Sequence, residues 1–179
     1  MSARSNIFRW AVILLLAVIT FNASFAGRTI YVDDDAVGAN DGSSWVDAYK
    51  YLQDALIDAG SVDKPVEVRV AQGIYRPDRS ASEPNGTGDR TATFQLINGV
   101  TLKGGYAGPT DADPNARDIE KYETILSGDL AGNDIDIKGL TSLRNVPTWS
   151  ENSYHVVTGS ETDSSTVIDG FIITSGRPC

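Results

Sequence analysis

One short phrase recurs along this chain and limits the folds open to it: an alternating apolar strand that stops at glycine. Val66, Val68 and Val70 alternate with Glu67 and Arg69 before the chain meets Gln72 and Gly73. Phe94 and Leu96 run into Asn98 and Gly99, and Val100 and Leu102 run into Gly104 and Gly105. The phrase returns at Thr124 to Gly128, at His155 to Gly159 and at Thr166 to Gly176. A two-residue period sends alternate side chains to opposite faces of a strand, and glycine marks where a strand can turn. Such recurrence describes a repeat architecture made of strands. The intervening polar stretches, 76–92, 107–123, 130–153 and 160–165, are too long for two-residue hairpins and carry no sustained helical period, which disfavours an antiparallel meander. A β-sandwich also has short alternating strands, but its turn signals come about every 8 to 12 residues. Here they do not.

Ahead of these strands lies a segment of different period. Thr29 to Val32 is a short β-prone run. Ser44 and Asp47 have the spacing of a capping box, and Trp45, Ala48, Tyr49, Leu52, Ala55, Leu56 and Ala59 then fall on one helical face, with Gly60 as the stop. An amphipathic helix before stacked strands has an evident task, because a solenoid must cover its open end. Asp113 followed by Pro114 reads as the start of a second, short helix reaching Lys121.

Charge and targeting set the compartment. Fifteen basic residues against 24 acidic ones give a net charge of -9, and a chain of that sign repels nucleic-acid phosphates. Nucleic acid is therefore not an expected partner. Residues 1–26 read as a secretory signal: Arg4 and Arg9, an apolar run from Trp10 to Phe21, and small residues at Ser24 and Ala26 around a cleavage point. The other reading is an uncleaved N-terminal anchor. No second apolar run of membrane length follows, so no transmembrane helix is expected after signal removal. The single cysteine, Cys179, closes no internal disulfide, and packing alone must hold the fold.

Several stretches together resemble a known family. Ile30 to Asp33 with Asn40 to Trp45, Val68 to Tyr75, Gly99 to Gly108, Thr124 to Asp129 and Val167 to Phe171 look like the opening coils of secreted bacterial proteins of the pectate-lyase-like superfamily. The resemblance spans nearly all of the mature chain. It implies an all-β solenoid, a right-handed parallel β-helix of about two coils with an N-terminal amphipathic capping helix. It also implies that Phe94 to Ile97 pairs with His155 to Thr158, Val70 with Leu126, and Val100 to Lys103 with Phe171 to Thr174. The expected division is a signal at 1–26, a strand and capping helix at 27–62, and coils at 63–179 that are truncated at the C-terminus. Catalytic motifs of the lyase and polygalacturonase members do not occur in these residues.

The candidate sites are acidic or cationic. Asp33, Asp35 and Asp41 occupy positions 1, 3 and 9 of a calcium loop with Gly38 at position 6, but Val37 and Ser44 stand where further ligands belong. Asp129, Asp134 and Asp136 form a second acidic group beside a strand end. His155, the sole histidine, has no sequence neighbour to orient it as a base. Arg69 and Lys103 are the outward members of alternating strands and offer cations to an acidic sugar. No catalytic or cofactor-binding residue is assigned. No cofactor is required, and calcium is the ion the acidic pattern suits.

The expectation is a secreted or cell-surface protein, a non-enzymatic structural, adhesin-like or carbohydrate-binding module whose partner is a polysaccharide or a cell-surface component. The alternative is the N-terminal part of a polysaccharide lyase or glycoside hydrolase. Export implies removal of residues 1–26, and intact-mass measurement of the exported chain should give a product that begins at Gly27. A product retaining Met1 contradicts the signal reading.

Overall fold

A computed structural model describes residues 27–135 and 147–177; the proposed signal, Asp136 and Cys179 lie outside the described residues. The strands are β1 (Arg28–Val32), β2 (Val66–Ala71), β3 (Gly73–Tyr75), β4 (Phe94–Gln95), β5 (Val100–Tyr106), β6 (Thr124–Ser127), β7 (Val157–Thr158), β8 (Val167–Asp169) and β9 (Ile172–Thr174). Among the described residues there is one α-helix, α1, at Leu52–Ser61. Every strand pairing is parallel. The strands make a four-stranded sheet in the order β1-β2-β5-β8, a three-stranded sheet β3-β6-β9 and a two-stranded sheet β4-β7.

This arrangement corrects the all-β solenoid expectation, the right-handed parallel β-helix with its capping helix. The strands are two to seven residues long and lie in several small parallel sheets, and the helix belongs to the same core as the largest sheet. The physical reason lies at the strand ends. The pairing of β2 with β5 shifts register between Arg69 and Ala71, and Gln72 separates β2 from β3, so the hydrogen-bonded ladder of one sheet does not run on into the next.

Register follows the alternation in the sequence. Val66 lies beside Val100 and Val68 beside Leu102, while Ile30 and Val32 lie beside Val68 and Val70. All of these are buried in one cluster with Leu52, Ala55, Leu56, Ala59, Phe94 and Leu126. A slip of one residue would turn this apolar row to solvent. Each such side chain contributes about 1.5 to 3 kcal/mol on burial. β4 pairs with β7 within the expected segments, Phe94 beside Val157. The other two expected pairings are corrected: Val70 lies beside Val32, Leu126 beside Tyr75, and β5 takes β8 rather than the Phe171 to Thr174 segment, which pairs with β6.

The helix begins later than its periodicity suggests, and the cause is β1. Tyr49 bridges Val32, with Asp33 N donating to Tyr49 O and Tyr49 N donating to Tyr31 O at 2.9 Å each. Extended backbone at Tyr49 cannot also be helical. Ser44 and Asp47 do hydrogen-bond each other, but they close a turn instead of opening a helix. Trp45 therefore leaves the helix core and joins Tyr31, Ala71 and Tyr106 in a second cluster, its Nε1 donating to Asn115 Oδ1 at 3.1 Å. Gly60 lies inside α1, not past it, and Asp113 to Lys121 is turns without a helix.

Two separate clusters make a testable distinction. Trp45→Ala and Leu56→Ala should each destabilise, by about 3 to 5 and about 2 to 5 kcal/mol. Their double variant should be additive within about 0.5 kcal/mol in denaturant unfolding. A larger coupling would mean that Trp45 docks the helix after all.

Candidate functional site

Where β2 hands over to β3, the chain builds a cleft of about 720 Å³. Its floor is β3 itself, with Tyr75 buried and its hydroxyl donating to Ala71 O at 3.2 Å. The residues leading into α1 supply Lys50 and Tyr51, and the turn after β1 supplies Asp34 and Asp35. Gly73 makes the close fit possible: its φ of 145° is a glycine conformation, and a Cβ there would meet the Asp34 carboxylate at 2.6 Å.

The electrostatics of the cleft are mixed but not balanced pair by pair. Asp34 keeps solvent access, yet the cleft walls desolvate it, and with Asp35 and Asp33 adjacent its carboxyl is pushed up to about 6. Two guanidiniums, Arg76 and Arg79, also line the cleft. Burial, and after it the charge of Arg79, holds Arg76 below the usual arginine range. Neither makes an ion pair among the described residues, and Arg79 Nε is buried without a hydrogen-bond partner. Arg76 Nε instead donates to the backbone carbonyl of Asp129 at 2.7 Å. Asp78, between them in sequence, turns away and accepts from Gly88 N at 3.0 Å.

The residues singled out from sequence fare unevenly. Asp33 and Asp35 do come together, but with Asp34, their carboxylate oxygens within 4.8 Å of one another. Asp41 is not in that group; hydrogen bonds from Ser43 engage it and hold its carboxyl below the usual range. Asp33 is buried and its carboxyl is raised, first by burial, while its Oδ1 accepts from Asp35 N at 3.2 Å. Asp129 and Asp134 form a second group, completed by Glu151. Both groups offer hard oxygen ligands that could hold a metal ion.

Arg69 and Lys103 do not present free cations. Both bind Glu67, at 2.7 and 2.6 Å, and although burial opposes its ionisation their hydrogen bonds hold the Glu67 carboxyl below its usual range. His155 is exposed on the surface beside Ile173 and away from the cleft lining. The residues that sequence reading missed are Arg76, Arg79, Asp34 and Glu151. The available signal for the first two was a pair of arginines three apart just after a strand stop.

The raised Asp34 carboxyl has a consequence for stability. Between 3.8 and about 6 the folded chain binds this proton more tightly than the unfolded chain, so the contribution of Asp34 to stability falls as pH rises through that window. Asp34→Asn should therefore raise Tm above pH 6 and leave it unchanged below pH 4. A pH-independent difference in melting scans contradicts this assignment.

Among the described residues no helix is long and apolar enough to cross a membrane. No protein-family model, curated protein or solved structure matches the chain.

Proposed function

We propose that this chain is an extracytoplasmic carbohydrate-binding module whose cleft at β3 takes an acidic polysaccharide segment. The observation that carries the reading is the Arg76 and Arg79 pair, two mutually repelling guanidiniums lining a polar cleft without a carboxylate partner among the described residues. A planar guanidinium with free donors suits a carboxylate, which it can bind in bidentate fashion. A uronate residue brings that carboxylate together with hydroxyls, and Asp35, Glu123 and Gln72 offer partners for hydroxyls within the same lining. Tyr51 adds an aromatic face at the rim. The signal-like character of residues 1–26 supports a setting outside the cytoplasm.

The reading needs no cofactor. Calcium is the ion that suits the two acidic groups.

One observation favours the enzymatic alternative, the N-terminal part of a polysaccharide lyase or glycoside hydrolase. A carboxyl at about 6 in a cleft has the acidity wanted of a general acid near neutral pH. That reading requires turnover.

Titration of the chain with oligogalacturonate and with neutral dextran separates the cases. Binding is expected for the acidic ligand alone, weakened about 10- to 100-fold by Arg79→Ala, the loss of a charge-assisted hydrogen bond. Arg69→Ala, whose guanidinium is already engaged, should bind normally. Equal affinity for dextran, or none for oligogalacturonate, overturns the proposal. Reducing ends or unsaturated uronate absorbance, lost in Asp34→Asn, would establish the enzymatic alternative.

A further inference from the structure

Just past β6 the chain gathers oxygen atoms that nothing in the fold satisfies. The Asp129 carboxylate is held by three backbone donors, Oδ1 accepting from Gly132 N at 2.7 Å and Asn133 N at 3.0 Å and Oδ2 from Asp134 N at 3.1 Å, which leaves Oδ2 able to take one more partner. These bonds fold residues 129 to 134 into a tight loop and swing Asp134 back toward Asp129. A second segment is stitched to the same corner by Ser153 N, which donates to Gly128 O at 2.8 Å and delivers Glu151, Asn152 and Ser153. Asn152 Nδ2 donates to Asp134 Oδ2 at 2.8 Å, so its amide faces the cluster.

What remains is a set of acceptors without donors. Asp134 Oδ1, both Glu151 carboxylate oxygens, Asn152 Oδ1 and Ser153 Oγ are all buried and unpartnered. Asn152 is 3% exposed and Ser153 0%. Buried acceptors left unmade are costly and uncommon, and five in one corner call for a common cause. A shared proton between Glu151 and Asp129 would satisfy one Glu151 oxygen and leave the other, with those of Asp134, Asn152 and Ser153, as they are. A cation would serve all of them.

We propose that this corner is a calcium site, with Asp129, Asp134 and Glu151 as carboxylate ligands and Asn152 Oδ1 and Ser153 Oγ as neutral ones. The oxygens are close enough to share an ion: one from each of the three carboxyls lies within 4.8 Å of the others, no farther than ligands at about 2.4 Å on opposite sides of one calcium ion can be. The chemistry fits too. The set is all oxygen, mixing carboxylate, amide and hydroxyl, which suits calcium's six to eight flexible ligands better than the strict, water-retaining octahedron of magnesium. Zinc, which favours nitrogen and sulfur, finds neither. Two guanidiniums reach this corner, Arg76 with its Nε on the Asp129 carbonyl and Arg90 with its Nε on the Asn152 carbonyl at 2.7 Å each, and neither makes an ion pair with the carboxylates among the described residues, so the carboxylate charge is not neutralised by direct pairing. The proposed ligands share no residue with the cleft lining, and the proposal stands without the carbohydrate reading.

The test uses the full chain, freed of metal by a chelator. Terbium, a luminescent stand-in for calcium, is titrated with excitation of tryptophan; Trp149 is two residues from Glu151. Saturable luminescence is expected, displaced by calcium and at least tenfold weaker in Asp134→Asn and Glu151→Gln, while Asp35→Asn behaves as wild type. Saturating calcium should also raise the wild-type Tm by about 5 °C. Absence of a saturable, calcium-displaced signal in the wild type overturns the proposal whether or not the variants fold. So does luminescence unchanged by both substitutions, or lost in Asp35→Asn alone. Stabilisation by Glu151→Gln in metal-free buffer with no further effect of calcium would identify a shared proton instead.

Discussion

The fold depends on parallel, in-register pairing of β1, β2, β5 and β8. Each strand contributes inward residues at a period of two, Ile30 and Val32, Val66, Val68 and Val70, then Val100 and Leu102, and the sheet stacks them into continuous apolar rows. Parallel strands cannot be joined by tight turns, so every connection must leave the sheet and return. Those excursions make β3, β6 and β9 into the second sheet, and they place polar loops at the corners. The cleft and the acidic corner are both products of that necessity: one at the exit from β2, the other at the exit from β6.

How much of this was legible follows from how local each feature is. The alternation of Val66 to Val70 and of Val100 to Lys103 is written in adjacent residues, so the strands could be read, whereas which strand lies beside which could not: Val70 pairs with Val32 and not Leu126, and β5 with β8 and not β9. The division into small sheets could not, because it turns on a register shift near Ala71 that leaves no mark in composition. The helix start was misread because Ser44 and Asp47 have the right chemistry for a cap while the backbone of Tyr49 is claimed by β1, a pairing between distant positions. The sites divide the same way. Asp129 and Asp134 are five residues apart and could be grouped by eye, but Glu151 joins them only through the Ser153 to Gly128 hydrogen bond. Glu67 and Arg69 share a strand face at a spacing of two, so their contact was open to reading, whereas the reach of Glu67 to Lys103 crosses from β2 to β5 and leaves no mark in spacing.

The two sites handle charge in opposite ways. In the cleft, like-charged guanidiniums stand near carboxylates without closing into pairs, which leaves donors and acceptors facing solvent where a polar ligand can meet them. At the corner past β6, carboxylates are turned inward on one another and sealed by Asn152 and Ser153. Arg76 touches both, through its Nε contact to the Asp129 carbonyl and through Gly132, whose missing side chain leaves room for the guanidinium. One side chain thus takes its position from the loop that the acidic corner organises.

The same crossover connections govern how the chain reaches its native state. Val66 meets Val100 across 34 residues and Thr101 meets Val167 across 66, so hardly any strand contact is local. Closing the longer loop costs only about 0.6 kcal/mol more than closing the shorter one. The entropic burden therefore falls on making the first non-local pair, after which each added strand finds a template already in register. A chain of this topology folds slowly for its size and then commits as a unit.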